Sequence, residues 1–256
     1  MTNIKLFIFL TGIFLSVTTT AQIIYVDSSA TGNNTGTSWT NAFTDLQSAL
    51  AIAKDSNQIW VAEGTYFPTN TTSTNISFTI SASINLYGGF SGTETSIAQR
   101  NALFFPTVLS GNVGTKDTIT DYTNYIVQNP TTKPGLTILV DGFTITKSQT
   151  AGIYNYKSNF TVANCSFINN KFEAIYNYYG SETVSNCSFS YNNRCIDNYY
   201  CSPQIINSSF TNNSSASFNA CVFNSSNSSP YINNCQFIGN TSATHSCVLL
   251  NETSSS

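Results

Sequence analysis

Few side chains in this sequence could do acid–base chemistry, and their positions limit what that chemistry could be. Between residues 137 and 256 the only carboxylates are Asp141, Glu173, Glu182, Asp197 and Glu252. Two carboxyl groups facing each other across a sugar linkage can act as acid and base in its cleavage. Asp197 with Arg194 and Glu173 is the one constellation that could be read this way. The same residues otherwise read as solvated surface charges, which add little to stability. His245 is the sole histidine and no recognisable motif sets a Ser or Cys beside it, so a hydrolytic triad has no support. There is no Cys-x-x-Cys and no glycine–aspartate nonapeptide to bind zinc or calcium. Gly88 and Gly89 read as turn glycines, not as a phosphate loop.

Aromatic residues supply the stronger signal. If Ile153, Ile175 and Ile196 face inward on three successive strands, alternation turns Tyr154, Tyr156, Tyr176, Tyr178, Asp197 and Tyr199 outward. Such a stripe offers flat apolar area with hydroxyl tips, which suits sugar rings or a protein partner. The competing reading is ring-on-ring stacking that steadies an exposed sheet, worth about 0.5 to 1.5 kcal/mol per pair.

Both readings require strands held in register, and the sequence repeats in a way that provides this. Four segments centred on Phe167, Phe189, Phe210 and Phe237 align at spacings of 22, 21 and 27 residues. Asn stands three places before each Phe, at 164, 186, 207 and 234, and three places after, at 170, 192, 213 and 240. A second register runs through Ile153, Ile175, Ile196, Val222 and Val248, with Asn155, Asn177, Asn198 and Asn224 two places behind the first four. Helical repeats would need 3.6-periodic stripes, whereas these runs are short, rich in β-branched and aromatic residues, and broken by Asn, Ser and Gly. The expected unit is a coil of short strands, stacked in parallel about 4.8 Å apart so that each residue lies over its equivalent. Phe and Ile then form apolar columns, and Asn forms amide ladders. A phase slip between Val162 and Cys165 places a bend at Asn164.

The cysteines follow the same columns. Cys165, Cys187 and Cys235 share a register with Ser208, while Cys195, Cys221 and Cys247 share another with Gly152 and Ala174. Free thiols packed as small apolar groups fit this placement better than a disulfide framework, because adjacent parallel strands do not readily meet disulfide torsions. Cys201 lies outside both columns and is the expected exposed or cross-linking thiol.

Upstream of the repeats, residues 1–21 read as a secretory signal, with Lys5, an apolar run from Leu6 to Val17 and a small-residue cleavage site before Gln22. The apolar run is too short to span a bilayer, and no membrane span is expected in the mature chain. The reading is therefore a secreted or cell-surface protein. Phe43, Leu46, Leu50 and Ala53 mark one face of a helix over 42–54, a candidate cap for the open end of a solenoid. Short runs at 58–62, 84–87, 106–109, 125–127 and 137–140 are expected first coils. Two regions follow from this: a cap with first coils over 22–136, and regular coils over 137–256. The last coil stops mid-way in register, which suggests a truncated product. Charged residues are only 8% of the chain and the net charge is −3, which argues against nucleic acid as a partner.

Several segments together resemble the bacterial secreted right-handed β-helix proteins of the pectin-lyase-like superfamily. They are Ile24-Tyr-Val-Asp27, Gly36-Thr-Ser-Trp39, Gln58-Ile-Trp-Val-Ala-Glu-Gly-Thr-Tyr66, Tyr87-Gly-Gly-Phe-Ser-Gly92 with Arg100, Thr107-Val-Leu-Ser-Gly111 and Asp141-Gly-Phe-Thr-Ile145. Phe-x-x-Asn at 167, 189, 210 and 237 is also similar to the repeats of polymorphic outer-membrane proteins, although the Gly-Gly-Ala-Ile partner of that repeat is absent. The resemblance implies an all-β right-handed parallel β-helix. It leaves three functions open: a non-catalytic scaffold binding an extracellular polysaccharide or a cell-surface partner through the tyrosines, a polysaccharide lyase or glycoside hydrolase, and a stalk that displays another domain. No cofactor is expected in the first case, and Ca²⁺ enters only with the lyase.

Overall fold

The computed structural model describes residues 21–215, 221–243 and 248–252. The expected signal segment up to Thr20, Cys247 and His245 lie outside them. The chain winds as a parallel β-helix with three faces, each coil from Gln58 onward contributing one short strand to each face. The first sheet stacks eight strands: Ile23–Val26, Gln58–Ala62, Asn85–Phe90, Thr137–Asp141, Asn159–Ala163, Ser181–Ser185, Gln204–Ile206 and Tyr231–Asn233. The second runs from Gly64–Tyr66 through Ser166–Ile168 to Gln236–Ile238, and the third from Phe78–Thr79 through Ala151–Tyr156 to Leu249–Glu252. Neighbouring strands in all three sheets pair in parallel, as stacked coils require.

Like sits on like in the core. On the second sheet Tyr66, Leu109, Ile145, Phe167, Phe189, Phe210 and Phe237 occupy one inward column. The last four rings stack at centroid distances of 4.9, 4.7 and 4.7 Å, the spacing of the coils themselves. Val127, Ile153, Ile175, Ile196 and Val222 form the matching column of the third sheet.

The three sets of asparagines do different things. Asn164, Asn186, Asn207 and Asn234 adopt left-handed backbone, with φ between 50° and 54°, and make the bend from first to second sheet with their side chains outside. Asn tolerates this conformation better than most residues because its short amide can bond locally. The other two sets are interior ladders. Asn170, Asn192, Asn213 and Asn240 pass side-chain hydrogen bonds from coil to coil at 3.0, 3.1 and 2.9 Å. Asn155, Asn177, Asn198, Asn224 and Asn251 do the same at 3.3, 3.0, 2.8 and 2.9 Å. Each ladder satisfies polar groups that would be costly to bury alone.

Four expectations change. The N-terminal helix spans Leu46–Ile52, shorter than 42–54, because Phe43 bridges to Val26, Asp45 caps the helix start by accepting from Ser48 N at 2.8 Å, and the backbone is already extended at Ala53. It packs on the first strands of two sheets and buries Leu46, Ala49 and Leu50, so it does cap the solenoid. Gly88 and Gly89 lie within a strand, at a register shift against Trp60–Ala62, and not in a turn. A Cβ at Gly88 would come within 2.7 Å of the Gly142 carbonyl. Cys201 is buried, with its thiol directed at the Asn177 carbonyl, and Cys235 is the more accessible thiol. Finally, Asp141, Glu173, Glu182 and Asp197 are buried, not solvated. The six described cysteines are free thiols.

A candidate ligand-binding face

The outward residues of the third sheet form two columns. Tyr154 pairs with Tyr176, then Asp197 and Phe223; Tyr156 pairs with Tyr178, then Tyr199. All five predicted tyrosines are half-buried side by side on one face. Strand alternation accounts for this directly, since Ile153 and Asn155 take the inward positions between them.

The rings touch one another. Tyr125 stacks on Tyr154 at 4.8 Å, Tyr154 on Tyr176 at 5.4 Å, and Tyr156 on Tyr178 at 5.7 Å, with interplanar angles of 18°, 22° and 10°. Ring faces are thus spent on neighbours in the same column, and the face displays ring edges and hydroxyls. The order breaks where Asp197 replaces a tyrosine, and Tyr199 stands at 87° to Tyr176. Burial, the largest influence, raises the Tyr154 hydroxyl to about 12 and pushes Tyr176 up as well. These phenols therefore remain protonated and able to donate a hydrogen bond at neutral pH.

Two further tyrosines, not anticipated from the sequence, extend the face. Tyr179 and Tyr200 occupy left-handed positions at the corner between the third and first sheets. They are exposed and stack at 4.4 Å with 9° between planes. Lys157, one coil earlier at the same corner, places its ammonium 5.3 Å from the Tyr179 ring centre and 5.2 Å from that of Tyr156, within cation–π range. The signal was present as consecutive tyrosines at 178–179 and 199–200. Strand alternation could not reach them, because the second of each pair lies beyond the strand end.

The predicted Asp197, Arg194 and Glu173 constellation is brought together beside this face. Arg194 ion-pairs with Glu173 on the preceding coil and, through Nη1, with Asp197 on its own strand at 2.9 Å. Glu173 is only 6% exposed and Asp197 2%. Burial, the largest influence, raises the Glu173 carboxyl, and the Arg194 charge opposes it. The guanidinium stands between the two carboxylates, where a divalent cation bridging them would have to be held. These residues therefore do not fit a Ca²⁺ site. Arg194, engaged with two carboxylates, is also poorly placed to take a proton from a substrate.

Comparison with known proteins matches residues 107–256 to the family model described as a right-handed β-helix region. No curated protein matches the chain. Among solved structures, pectate lyase Pel9A aligns at 17% identity with a TM-score of 0.43, over 86% of this chain. The chain spans about half of that structure's length, 47%.

Proposed function

The chain belongs to the right-handed β-helix family, and we propose that it is a non-catalytic binding protein whose tyrosine face holds an extracellular glycan. The observation that carries this reading is the continuity of the face: Tyr154, Tyr156, Tyr176, Tyr178 and Tyr199 adjoin the exposed Tyr179–Tyr200 pair and Lys157. Exposed aromatic area on this scale is not needed to close the core, which is filled by Ile, Val and Phe columns. Phenolic hydroxyls and one ammonium offer donors to sugar oxygens, and the ring edges offer apolar area between them. Action outside the cell accords with the N-terminal signal read from the sequence. Among the described residues no helix is long and apolar enough to cross a membrane.

The test is retention on immobilised polysaccharides. The double variant Tyr179→Ala/Tyr200→Ala removes the two exposed rings of this face, and Tyr154→Ala, Tyr176→Ala and Tyr199→Ala remove stripe members singly. Weakened retention with unchanged circular dichroism is expected. Equal retention of the wild type and every variant on each polysaccharide tested would sink the proposal. The lyase or hydrolase alternative has one observation in its favour, the carboxylates of Glu173 and Asp197 beside Tyr176. Release of products from a uronate-containing polysaccharide, abolished by Asp197→Asn, would establish it instead.

A further inference from the structure

A concave surface lies on the corner opposite the tyrosine face, where the first sheet bends into the second. It is a groove of about 580 Å³ that crosses successive coils. Its floor repeats from coil to coil: Ser166, Ser188 and Ser209 stand in register, with Gln236 at the next position. Along one rim run Asn164, Asn186, Asn207 and Asn234, turned outward by their left-handed backbone. At one end Leu103 forms an apolar lip. It is 86% exposed, and the adjacent Phe104 is 73% exposed. The lip is held in place by Asn101, whose Oδ1 accepts from the backbone N–H groups of both residues.

Three features of the groove define a ligand. No residue lining it carries a charge, and beyond the rim Arg100 is neutralised by Asp141 at 2.6 Å, whose other oxygen accepts from the rim residue Asn164 at 2.8 Å. An anionic polymer would find no counter-charge here. The lining is rich in groups that both donate and accept, as a polyhydroxylated ligand requires. Some are left available: among the described residues the side-chain amide of Asn186 and the hydroxyl of Ser209 make no hydrogen bond, whereas Ser188 donates to Ser166 at 2.9 Å. Finally, equivalent groups recur at the coil spacing of 4.7 to 4.9 Å seen in the phenylalanine stack. That spacing is close to the distance between successive sugars of an extended polysaccharide. A peptide adding as an extra strand is disfavoured, because the floor strands from Phe143–Thr146 to Ser209–Thr211 are already paired on both sides.

We propose that this groove binds an unbranched, uncharged polysaccharide laid along the solenoid axis, with the Leu103 lip packed against a sugar face. The site is separate from the tyrosine face and does not depend on it. Calorimetric titration of the full chain with cellohexaose and mannohexaose, and with hexagalacturonate as the charged counterpart, tests it. Ser188→Tyr fills the floor at a partly exposed position. Asn186→Gly removes the free amide while keeping a residue that accepts positive φ. Leu103→Ser removes the lip from an exposed loop and leaves the coils untouched, so it reports even if Ser188→Tyr fails to fold. The expected result is binding of at least one neutral hexasaccharide, weakened about tenfold or more in these variants, with Tyr179→Ala/Tyr200→Ala titrated alongside to separate the two faces. The proposal is overturned if neither neutral hexasaccharide binds, if hexagalacturonate binds as well as they do, or if folded groove variants bind as the wild type does. Loss confined to the tyrosine variant would likewise overturn it, while supporting the reading of the other face.

Discussion

Asn177 donates a side-chain hydrogen bond to the carboxyl of Glu182, a residue held where the preceding coils place Phe160 and Ile138 in the core. The amide of Asn177 also continues the interior ladder to Asn198 at 3.0 Å. A carboxyl group has thus been built into an apolar column and tied to a ladder of amides. Its second oxygen, Oε1, is buried without a hydrogen-bond partner among the described residues. The thiols of Cys187 and Cys201 lie close enough to feel its charge.

Burial raises the Glu182 carboxyl from its usual 4.5 to about 8, with the Asn177 hydrogen bond opposing it. Between these two values the unfolded chain ionises Glu182 while the folded chain keeps it neutral. Stability is therefore fully present below about pH 4.5 and is lost as pH rises through about 8, at roughly 1.4 kcal/mol per unit of separation between the two pKa values. Thermal unfolding followed from pH 4 to pH 8 should show Tm falling in the wild type, and Glu182→Gln should remove this component. A wild-type slope retained in the Gln variant would assign it to other groups, the raised Glu173 first among them.

The phenylalanine column should be as sensitive as any ordinary core. Phe189 stacks between Phe167 and Phe210 and is fully buried. Phe189→Ala should cost about 3 to 5 kcal/mol in chemical denaturation. A loss below about 1 kcal/mol would mean that the coils collapse onto the cavity.

Asn192 makes four side-chain hydrogen bonds within its ladder. It donates to Asn213 and to the Phe167 carbonyl, and its oxygen accepts from both nitrogens of Asn170. Asn192→Ala strands buried groups on two neighbouring coils, each worth about 1 to 3 kcal/mol. Its destabilisation should exceed that of Asn186→Ala, measured in the same way, because the Asn186 side chain makes no hydrogen bond among the described residues and its replacement costs only the strain of Ala at positive φ.

Arg194 should matter for structure before chemistry. Arg194→Ala leaves Glu173 and Asp197 buried together without their cation, at a cost of about 3 to 5 kcal/mol. The triple change Arg194→Met/Glu173→Gln/Asp197→Asn should recover most of that loss. Failure to recover would show that the cluster contributes more than mutual neutralisation.

Thiol labelling gives a simple measure of the coil interior. Burial pushes Cys201 up to about 12 and drives Cys187 and Cys195 well above their ordinary range. Among the six described cysteines only Cys235 is partly accessible. It should react first with an aromatic disulfide reagent, and the other five only on unfolding. Rapid reaction at Cys201 would contradict its placement beneath the third-to-first corner.

The solenoid was legible in the sequence because stacking makes equivalent positions spatial neighbours, so a period of about 22 residues translates directly into columns. Phe167 over Phe189 over Phe210, the bend at Asn164 and the thiol columns all follow from that one relation. So does the tyrosine stripe, since alternation from Ile153 fixes the side on which Tyr154 and Tyr156 emerge.

Period and alternation are silent wherever the chain leaves a strand or a distant segment covers one. Tyr179 and Tyr200 became visible only once the left-handed corner was in place, and Cys201 was hidden by the same corner. The burial of Glu173 and Asp197 was set by Arg194 reaching across a coil, and that of Asp141 by Arg100 arriving from a loop 41 residues away. The sequence alone determined which residues stand above one another, because that depends only on repeat length. The tertiary structure decided which of them meet solvent, because exposure depends on corner geometry and on long-range pairing that no local pattern encodes.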